Sequence, residues 1–410
     1  DNNGSYYDIN LNIPPIDVTR FSPSNLTLPF GRIFGSSVDF NLNGAPEIVV
    51  SVSEDGAIGP IKLFEFDDAE MHQVFSFTDA RIPRDIGDSD NDGKLEILSG
   101  FGFNSYIYEA AQAGSFPENE VVAWQGDGAL QYWASRFADL DQDGKGEVIM
   151  RVVRSQEGGG TDQFELFETI GDNQYSSTAV FANPTPGENF NGVPHCQTAD
   201  FDDDGAMEIL LGDSDGDLYI YENTGNDTFQ ATWQDSLPLF DSIGFLAAGD
   251  FDGDGVQEFI AGCHSDPNLN TEHDYDARHW YYRIYDRVGD DDYHQTAEWR
   301  FFGFESTRDF LSSVSTGDVD NDGDDEIFIA AYPDFYMIDF ANDKYDVIYH
   351  HAPVQVSAVL VEDIDLNGRN EFWIGDGDKL FAAESVGEST GPPTPVSVFA
   401  QPLNAATIKL

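Results

Sequence analysis

Short apolar runs separated by acidic, glycine-containing loops set the rhythm of this chain. Glu47-Ile-Val-Val, Glu96-Ile-Leu, Glu208-Ile-Leu-Leu and Glu326-Ile-Phe-Ile each leave such a loop, and a short strand leads into it. The runs that follow alternate and are rich in aromatic and β-branched residues, as in Ile61 to Phe66 then His72 to Phe77, or Asp217 to Tyr221 then Thr228 to Trp233. Alternation at period two, bounded by turn residues, predicts strands. The acidic loop recurs seven times, opening at Asp39, Asp88, Asp139, Asp200, Asp250, Asp318 and Asp363, at intervals of 49, 51, 61, 50, 68 and 45 residues. A period near fifty marks a repeat architecture. Four strands in each of seven repeats predict an all-β fold, a seven-bladed β-propeller with four-stranded blades.

Every loop reads D-x-[DN]-x-[DN]-G-x-x-E. Oxygen side chains at positions one, three, five and nine, with a glycine for the sharp turn at six, can wrap a hard cation that takes six to eight oxygens. The expected ligands are Asp39, Asn41, Asn43 and Glu47 in the first loop, and Asp88, Asp90, Asp92 and Glu96 in the second. Asp139, Asp141, Asp143 and Glu147 follow, then Asp200, Asp202, Asp204 and Glu208, then Asp250, Asp252, Asp254 and Glu258. The last two sets are Asp318, Asp320, Asp322 and Glu326, and Asp363, Asp365, Asn367 and Glu371. Up to seven Ca2+ ions are expected, with the carbonyl at position seven completing each site. Asn41, Asn43 and Asn367 replace acids, so loops one and seven are expected to lose metal first.

Residues 16 to 385 resemble the FG-GAP or integrin-α-type calcium propellers (VCBS-like repeats), on the strength of the seven loops and of Phe34-Gly35 before the first. The resemblance implies calcium binding. Position nine departs from it: Glu stands there in all seven copies, where integrin loops usually carry Asp. Gly44-Ala45-Pro46 lies inside a loop rather than after the next strand, so its likeness to the family's Gly-Ala-Pro is a coincidence.

A ring must join its two ends. After Glu371 the sequence supplies only Phe372 to Ile374 and Lys379 to Ala383 before a Pro-rich stretch, so the last blade lacks an outer strand. Ile16 to Phe21 is expected to supply it beside Lys379 to Ala383, hiding sheet edges. The expected division is an N-terminal segment over 1–30, which includes the closing strand, and the propeller over 31–385. Residues 386–410 then form a linker around Gly391-Pro-Pro-Thr-Pro395 and the start of a fibronectin III-like domain, so further domains of the same chain are expected.

The charge narrows the setting. Against 76 acids there are 19 bases, a formal −57, and only 25 of the acids occupy the loop positions above. Seven divalent cations would neutralise about a quarter of that excess. Either a salty habitat, where screening is strong, or an ordinary acidic secreted protein fits. The field repels nucleic acid, acidic lipid surfaces and polyanionic glycans, although a local basic pocket can make an exception. No run of 18 apolar residues exists, so no direct membrane insertion is expected. Two cysteines, Cys196 and Cys263, exclude a disulfide scaffold; they form either one bridge between neighbouring blades or two buried thiols. No signal segment opens the sequence, which reads as a processed chain.

Function is expected on the face opposite the loops, where connections vary most. The segment Gly262 to Trp280 carries His264, Asp266, His273, Asp274, Asp276, Arg278 and His279, and Arg154 to Gln163 is extended with three glycines. The histidine-rich segment reads as a ligand-contacting loop, a transition-metal site or a solvated insertion. Blade-entry segments add Arg84, Tyr132, Trp133, Arg136, Phe190, His195, Phe240, Phe304 and Arg308. Arg84, Arg136 and Arg308 either point into the central depression to bind a carboxylate or pair with neighbouring aspartates. Trp133, His195, His273 and Trp280 are the expected ligand-binding residues. Asp213-Ser-Asp-Gly-Asp217 reads as a tight turn rather than an eighth metal loop.

No nucleophile elbow, His-Glu-x-x-His helix or phosphate loop is present. The leading reading is a non-catalytic, calcium-stabilised module of a secreted or cell-surface protein, used for adhesion, for recognition of an extracellular protein or glycan, or for assembly. The alternative is a polysaccharide lyase on a calcium-bearing propeller, with His195, Arg136 and Tyr132 as candidates, although the charge disfavours uronate polyanions. A purely structural spacer is the third.

Overall fold

The computed structural model describes residues 20–54, 57–155, 160–187, 195–238, 242–265, 279–302, 313–331, 334–341, 344–351, 359–376 and 379–386. These residues form strands and turns, with no helix among them, and the strands make seven four-stranded antiparallel sheets. Six sheets take their strands in chain order, so each blade is a meander running from an inner to an outer strand. The inner strands are Gly31–Val38, Ile82–Gly87, Leu130–Ala138, Gln197–Ala199, Phe245–Gly249, Ser313–Gly317 and Leu360–Glu362. Each ends immediately before the first aspartate of an acidic loop, and each second strand begins at that loop's Glu. All seven loops therefore lie on one face, and the connections from second to third strand lie on the other.

The seventh sheet is closed by the N-terminal strand, but later than the sequence led us to expect. The closing strand is Phe21–Pro29, paired antiparallel with Lys379–Ser385 in a register that sets Phe21 opposite Ser385 and Pro29 opposite Lys379. Of the expected strand from Ile16 to Phe21, only Phe21 takes part, and residues 16–19 lie outside the described residues. Pro23 and Pro29 both lie within this strand. An outermost strand needs ladder hydrogen bonds on one side only, so it tolerates proline where a central strand would not. Phe21 anchors the closure: it is fully buried, edge-on to Tyr349 of blade six at 5.6 Å and to Phe372 of blade seven at 5.5 Å.

The core lies between blades. Second and third strands contribute runs buried on both faces, such as Val148, Ile149 and Met150, because each sheet packs against a neighbour on either side. Aromatic pairs fill the wedge, as where Phe259 stacks on Tyr285 at 5.0 Å with Trp233 of the preceding blade edge-on to both. Position two of each loop feeds the same core: Phe40, Leu140, Phe201, Phe251, Val319 and Ile364 are fully buried. Ser89 takes that place in loop two and meets the Tyr175 hydroxyl at 2.5 Å instead. Cys196 and Cys263 are both free and buried, Cys196 with its Sγ 3.0 Å from Ser135 Oγ, so of the two alternatives the buried thiols are found.

Candidate metal loops and the face opposite

Six of the seven loops fold around their own first aspartate, loop three being the exception. In loop four the N–H of Asp204 donates to one oxygen of Asp200 at 3.0 Å and the N–H of Gly205 to the other at 3.0 Å, while the N–H of Ala206 donates to Asp204 at 2.7 Å. Two residues per loop must enter the left-handed region for this wrap. Position six is always glycine, with φ between 87° and 109°. Position four is the other, and it is Leu42, Asn91, Gln142, Asp203, Asn321 or Leu366 at φ between 54° and 60°, with only Gly253 free of the Cβ penalty. Six left-handed non-glycine residues at one repeated position are strain held in place by the rest of the loop.

The position-nine glutamate sets the floor of the site. In all seven loops its Oε2 accepts the N–H of position two at 2.6 to 2.9 Å. In five of them, Glu96, Glu147, Glu208, Glu258 and Glu371, the buried Oε1 has no hydrogen-bond partner. Buried oxygens of Asp90, Asp139, Asp202, Asp250 and Asp320 are left in the same condition. An ionised carboxylate buried with an idle oxygen is costly unless a cation meets it. The carboxylate oxygens of Asp200, Asp202, Asp204 and Glu208 lie within 4.8 Å of one another, as do those of Asp250, Asp252, Asp254 and Glu258, so these clusters could hold metal ions. The electrostatics agree. Burial, with the neighbouring aspartates adding to it, pushes Glu208 and Glu147 up to about 9, and Glu96, Glu258 and Glu371 to about 8.

Loop one is built differently. The Asn41 amide donates to Glu47 Oε1, the oxygen that idles in five other loops, and to Glu65 at 3.0 Å, and Asn43 donates to Glu65 at 2.8 Å.

Those contacts expose a position that the sequence reading missed. In every blade the residue that the register sets across from the position-nine Glu, on the third strand, is also an acid. These are Glu65, Glu109, Glu168, Glu222, Asp286, Asp339 and Glu384. Like charges directly opposite each other in an antiparallel pair destabilise it, and the blades answer this in several ways. Lys94 and Lys145, at position seven, reach Glu109 at 3.0 Å and Glu168 at 2.9 Å and bind the position-five aspartate as well. Arg20, just before the closing strand, spans Asp320 at 3.5 Å and Asp339 at 3.2 Å. Asn367 donates to Glu384 at 3.1 Å. In loops four and five position seven is Ala206 or Val256, which offers no charge, and partial burial with nearby Asp291 pushes Glu222 up to about 7. Aligning the repeats on the loops would have shown this acid in Leu63-Phe-Glu65, Ile107-Tyr-Glu109, Leu166-Phe-Glu168 and Ile220-Tyr-Glu222.

Neighbouring loops are also tied together. For loops two, three and four the outer hairpin of the next blade donates an N–H to the position-three aspartate: Asn173 to Asp90 at 2.7 Å, Asp227 to Asp141 at 2.9 Å and Asp291 to Asp202 at 2.8 Å. Asn91 and Gln142, at position four, donate to the carbonyls of Gly144 and Gly205 in the next loop, at 2.8 and 3.0 Å.

A model of the FG-GAP-like repeat matches residues 200–261, from the first ligand of loop four into the second strand of blade five. That match, together with the ring of seven four-stranded blades, supports an FG-GAP-like seven-bladed propeller. Such repeats occur in extracellular proteins, and among the described residues no helix is long and apolar enough to cross a membrane. No curated protein matches the sequence. Among solved structures, BBS1N in complex with ARL6DN is similar over 90% of this chain and 98% of that one in a mercury-soaked crystal, with a TM-score of 0.54 at 11% identity. A lead-soaked crystal of the same complex gives 91%, 97%, 0.51 and 11%. The Vibrio cholerae biofilm matrix protein Bap1 is similar over 91% of this chain and 92% of that one, with a TM-score of 0.48 at 11% identity. The likeness to BBS1N concerns the fold alone.

On the face away from the loops of this propeller, the expected ligand residues separate. Trp133 is partly exposed, its indole N–H donating to Gln131 at 3.0 Å and its ring edge-on to Phe103 at 6.0 Å. His195 opens to solvent, yet the protein around it and the charges of Arg84 and Arg32 push its imidazole down to about 4. Trp280 does not belong with them. It is 1% exposed and packs against Phe245 at 5.3 Å, because the third strand of blade five, His279–Gly289, carries it into the core between blades. His273, Arg308, Phe190, Phe240 and Phe304 lie outside the described residues. Arg136 donates to Gln197 at 2.8 Å, and its charge faces Asp85. Asp213 accepts the N–H groups of Asp215 and Asp217 and the side chains of Asn183 and Thr185, which is the tight turn expected.

Proposed function

We propose that this propeller is a calcium-stabilised, non-catalytic recognition module of a secreted or cell-surface protein. The observation that carries the reading is the set of five position-nine glutamates with buried, idle Oε1 atoms, each facing further carboxylates of its own loop. The donors are all oxygens, without imidazole or thiolate, which favours a hard cation over zinc or copper. Carboxylates at one, three, five and nine would hold it, and the bound cation would neutralise charges that otherwise repel. The hydrogen bonds that link blades two through five then carry that stabilisation across neighbouring blades. Sites of this kind suit an environment rich in free calcium, which supports the extracellular setting. With one face committed to metal loops, recognition of a protein or glycan falls to the other.

The lyase alternative gains less support, because Arg136 is engaged by Gln197. It predicts cleavage of a uronate polymer that Tyr132→Phe abolishes.

The test of the calcium reading is melting in calcium and in excess chelator. A site held at about one hundred times its Kd contributes about 2.7 kcal/mol. Unfolding entropy of about 2.1 cal/mol/K per residue gives about 0.8 kcal/mol/K for the ring, so seven sites together are worth on the order of 20 °C. An unchanged melting temperature refutes the reading.

A further inference from the structure

Cations in this chain are scarce, and among the described residues at least eight of sixteen are paired with acids. Arg151 meets Asp162 at 2.6 Å, Arg283 meets Asp235 at 3.0 Å and Arg154 pairs with Glu165. Arg32 and Arg84 are different. Among the described residues neither makes an ion pair or a side-chain hydrogen bond, and Arg84 Nε is buried with no partner. Both belong to inner strands, Gly31–Val38 of blade one and Ile82–Gly87 of blade two. The charge of Arg32 reaches Arg84, and both reach His195, which precedes the inner strand of blade four. Blades one and two are neighbours and blade three separates them from blade four, so the charges of Arg32 and Arg84 reach His195 across the axis of the ring. Burial and Arg32 together lower Arg84 to about 10. Two guanidinium groups sharing the channel without a counter-ion, in a chain with four acids to every base, is an arrangement that a ligand anion would complete.

The wall beside Arg84 says what the anion is attached to. Arg84 lines a small hollow with Asn104, Tyr132 and Trp133 on the face away from the metal loops. Above it the tight turn Phe101-Gly102-Phe103-Asn104 holds two phenylalanines in solvent, at 42% and 44% exposure. That turn is pinned to blade three by the Tyr132 N–H donating to Phe103 O at 3.0 Å, and to the connection between blades two and three by the Gly126 N–H donating to Asn104 at 2.8 Å. Aromatic rings on a rigid turn, an amide and a neutral imidazole suit the faces and hydroxyls of a sugar ring. The strongly negative field of the whole molecule penalises polyanions, so the ligand is one of low charge.

We infer that the channel mouth formed by Arg32, Arg84, His195 and Trp133 binds a saccharide bearing a single carboxylate, the carboxylate on the two arginines and the ring against Trp133. This rests on the recognition reading above and names its ligand class. The test is calorimetric titration of the calcium-loaded protein with methyl galacturonide, methyl galactoside, acetate and an acidic dipeptide. Methyl galacturonide should bind at least tenfold more tightly than the neutral galactoside. Arg84→Gln and Arg32→Gln should each weaken it at least tenfold and Trp133→Ala at least threefold, with calcium-dependent melting retained. If Arg84→Gln does not fold, Arg84→Lys keeps the charge, loses the planar fork and should still weaken binding several-fold. No binding of galacturonide, or equal affinity in the arginine variants, overturns the inference. Acetate or the dipeptide binding as tightly, with Trp133→Ala without effect, overturns its saccharide part. Melting in chelator reports separately on the calcium reading, so the two can fail independently.

Discussion

Replacing Glu208 by Gln should change the sign of its effect on stability with calcium. The side chain is fully buried; its Oε2 accepts the Phe201 N–H at 2.6 Å and its Oε1 is idle. The substituted amide keeps an oxygen for that N–H, so the wrap of the loop survives. In metal-free protein the Glu208 carboxyl is raised to about 9 by burial and by Asp202, Asp200 and Asp204. A carboxyl raised in the folded state destabilises above its unfolded value, fully so above its folded one. At pH 7.5 the gap from an unfolded value near 4.5 is about three units, which at about 1.4 kcal/mol each sets an upper bound of about 4 kcal/mol. Removing the charge removes that penalty, so metal-free Glu208→Gln should melt higher than metal-free wild type, by up to about 5 °C at about 0.8 kcal/mol/K. In calcium the same change removes a ligand oxygen. A ten- to hundredfold weaker site costs about 1.4 to 2.7 kcal/mol, so the variant should melt about 2 to 3 °C lower. Differential scanning calorimetry of both proteins, with calcium and with chelator, measures all four values. A variant destabilised equally in the two conditions would show that Glu208 acts only as a backbone cap, and the metal argument for its idle oxygen would be wrong.

Two further outcomes follow from the same geometry. Metal-free protein should lose stability as pH rises from about 4.5 to about 9, because Glu47, Glu96, Glu147, Glu208, Glu258 and Glu371 are all raised and the folded state holds more protons there. Calcium should reverse that slope, since binding requires the ionised form, and a flat metal-free melting profile would contradict the shifts. Phe21→Ala should cost about 3 to 5 kcal/mol, the usual range for truncating a buried phenylalanine. It should also release the N-terminal strand to limited proteolysis before the rest of the ring unfolds, whereas simultaneous digestion would refute its role as the closing anchor.

The ring was legible because its two signals reinforce each other: a loop with fixed ligand spacing, and strands that begin and end at fixed offsets from it. The closing strand was misplaced because the strand signal is written for central strands. Phe21–Pro29 carries two prolines that only an edge permits, and its evidence is the burial of Phe21, Leu26 and Leu28. Position four of the loops escaped for a similar reason. Leu42 and Leu366 are half exposed at positive φ, a conformation their side chains would not suggest. Trp280 was misread because a tryptophan next to a histidine-rich segment looks presented, whereas the strand parity of its blade turns it inward.

The third-strand acids lay within reach of the sequence and were missed because no single loop contains them. Their consequence concerns how the metal loops are balanced. In blades two, three and six a lysine or arginine stands between the third-strand acid and its loop, and in blades one and seven asparagine amides do. Blades four and five have neither at position seven. A fixed ammonium lowers the local negative potential and so the affinity for a divalent ion, while its absence raises it. The seven loops, nearly uniform in their nine-residue pattern, are thus graded by residues outside it. Loops four and five keep all their ligand carboxylates with no basic side chain at position seven, so they should attract an entering cation more strongly than loops two and three, and loop one, with its two asparagine amides already on Glu47 and Glu65, least. Because Asp227 and Asp291 donate their backbone N–H groups from blades four and five to the loops of blades three and four, filling the strongest sites first would fix one sector of the ring. The weaker loops would then fill against blades already ordered.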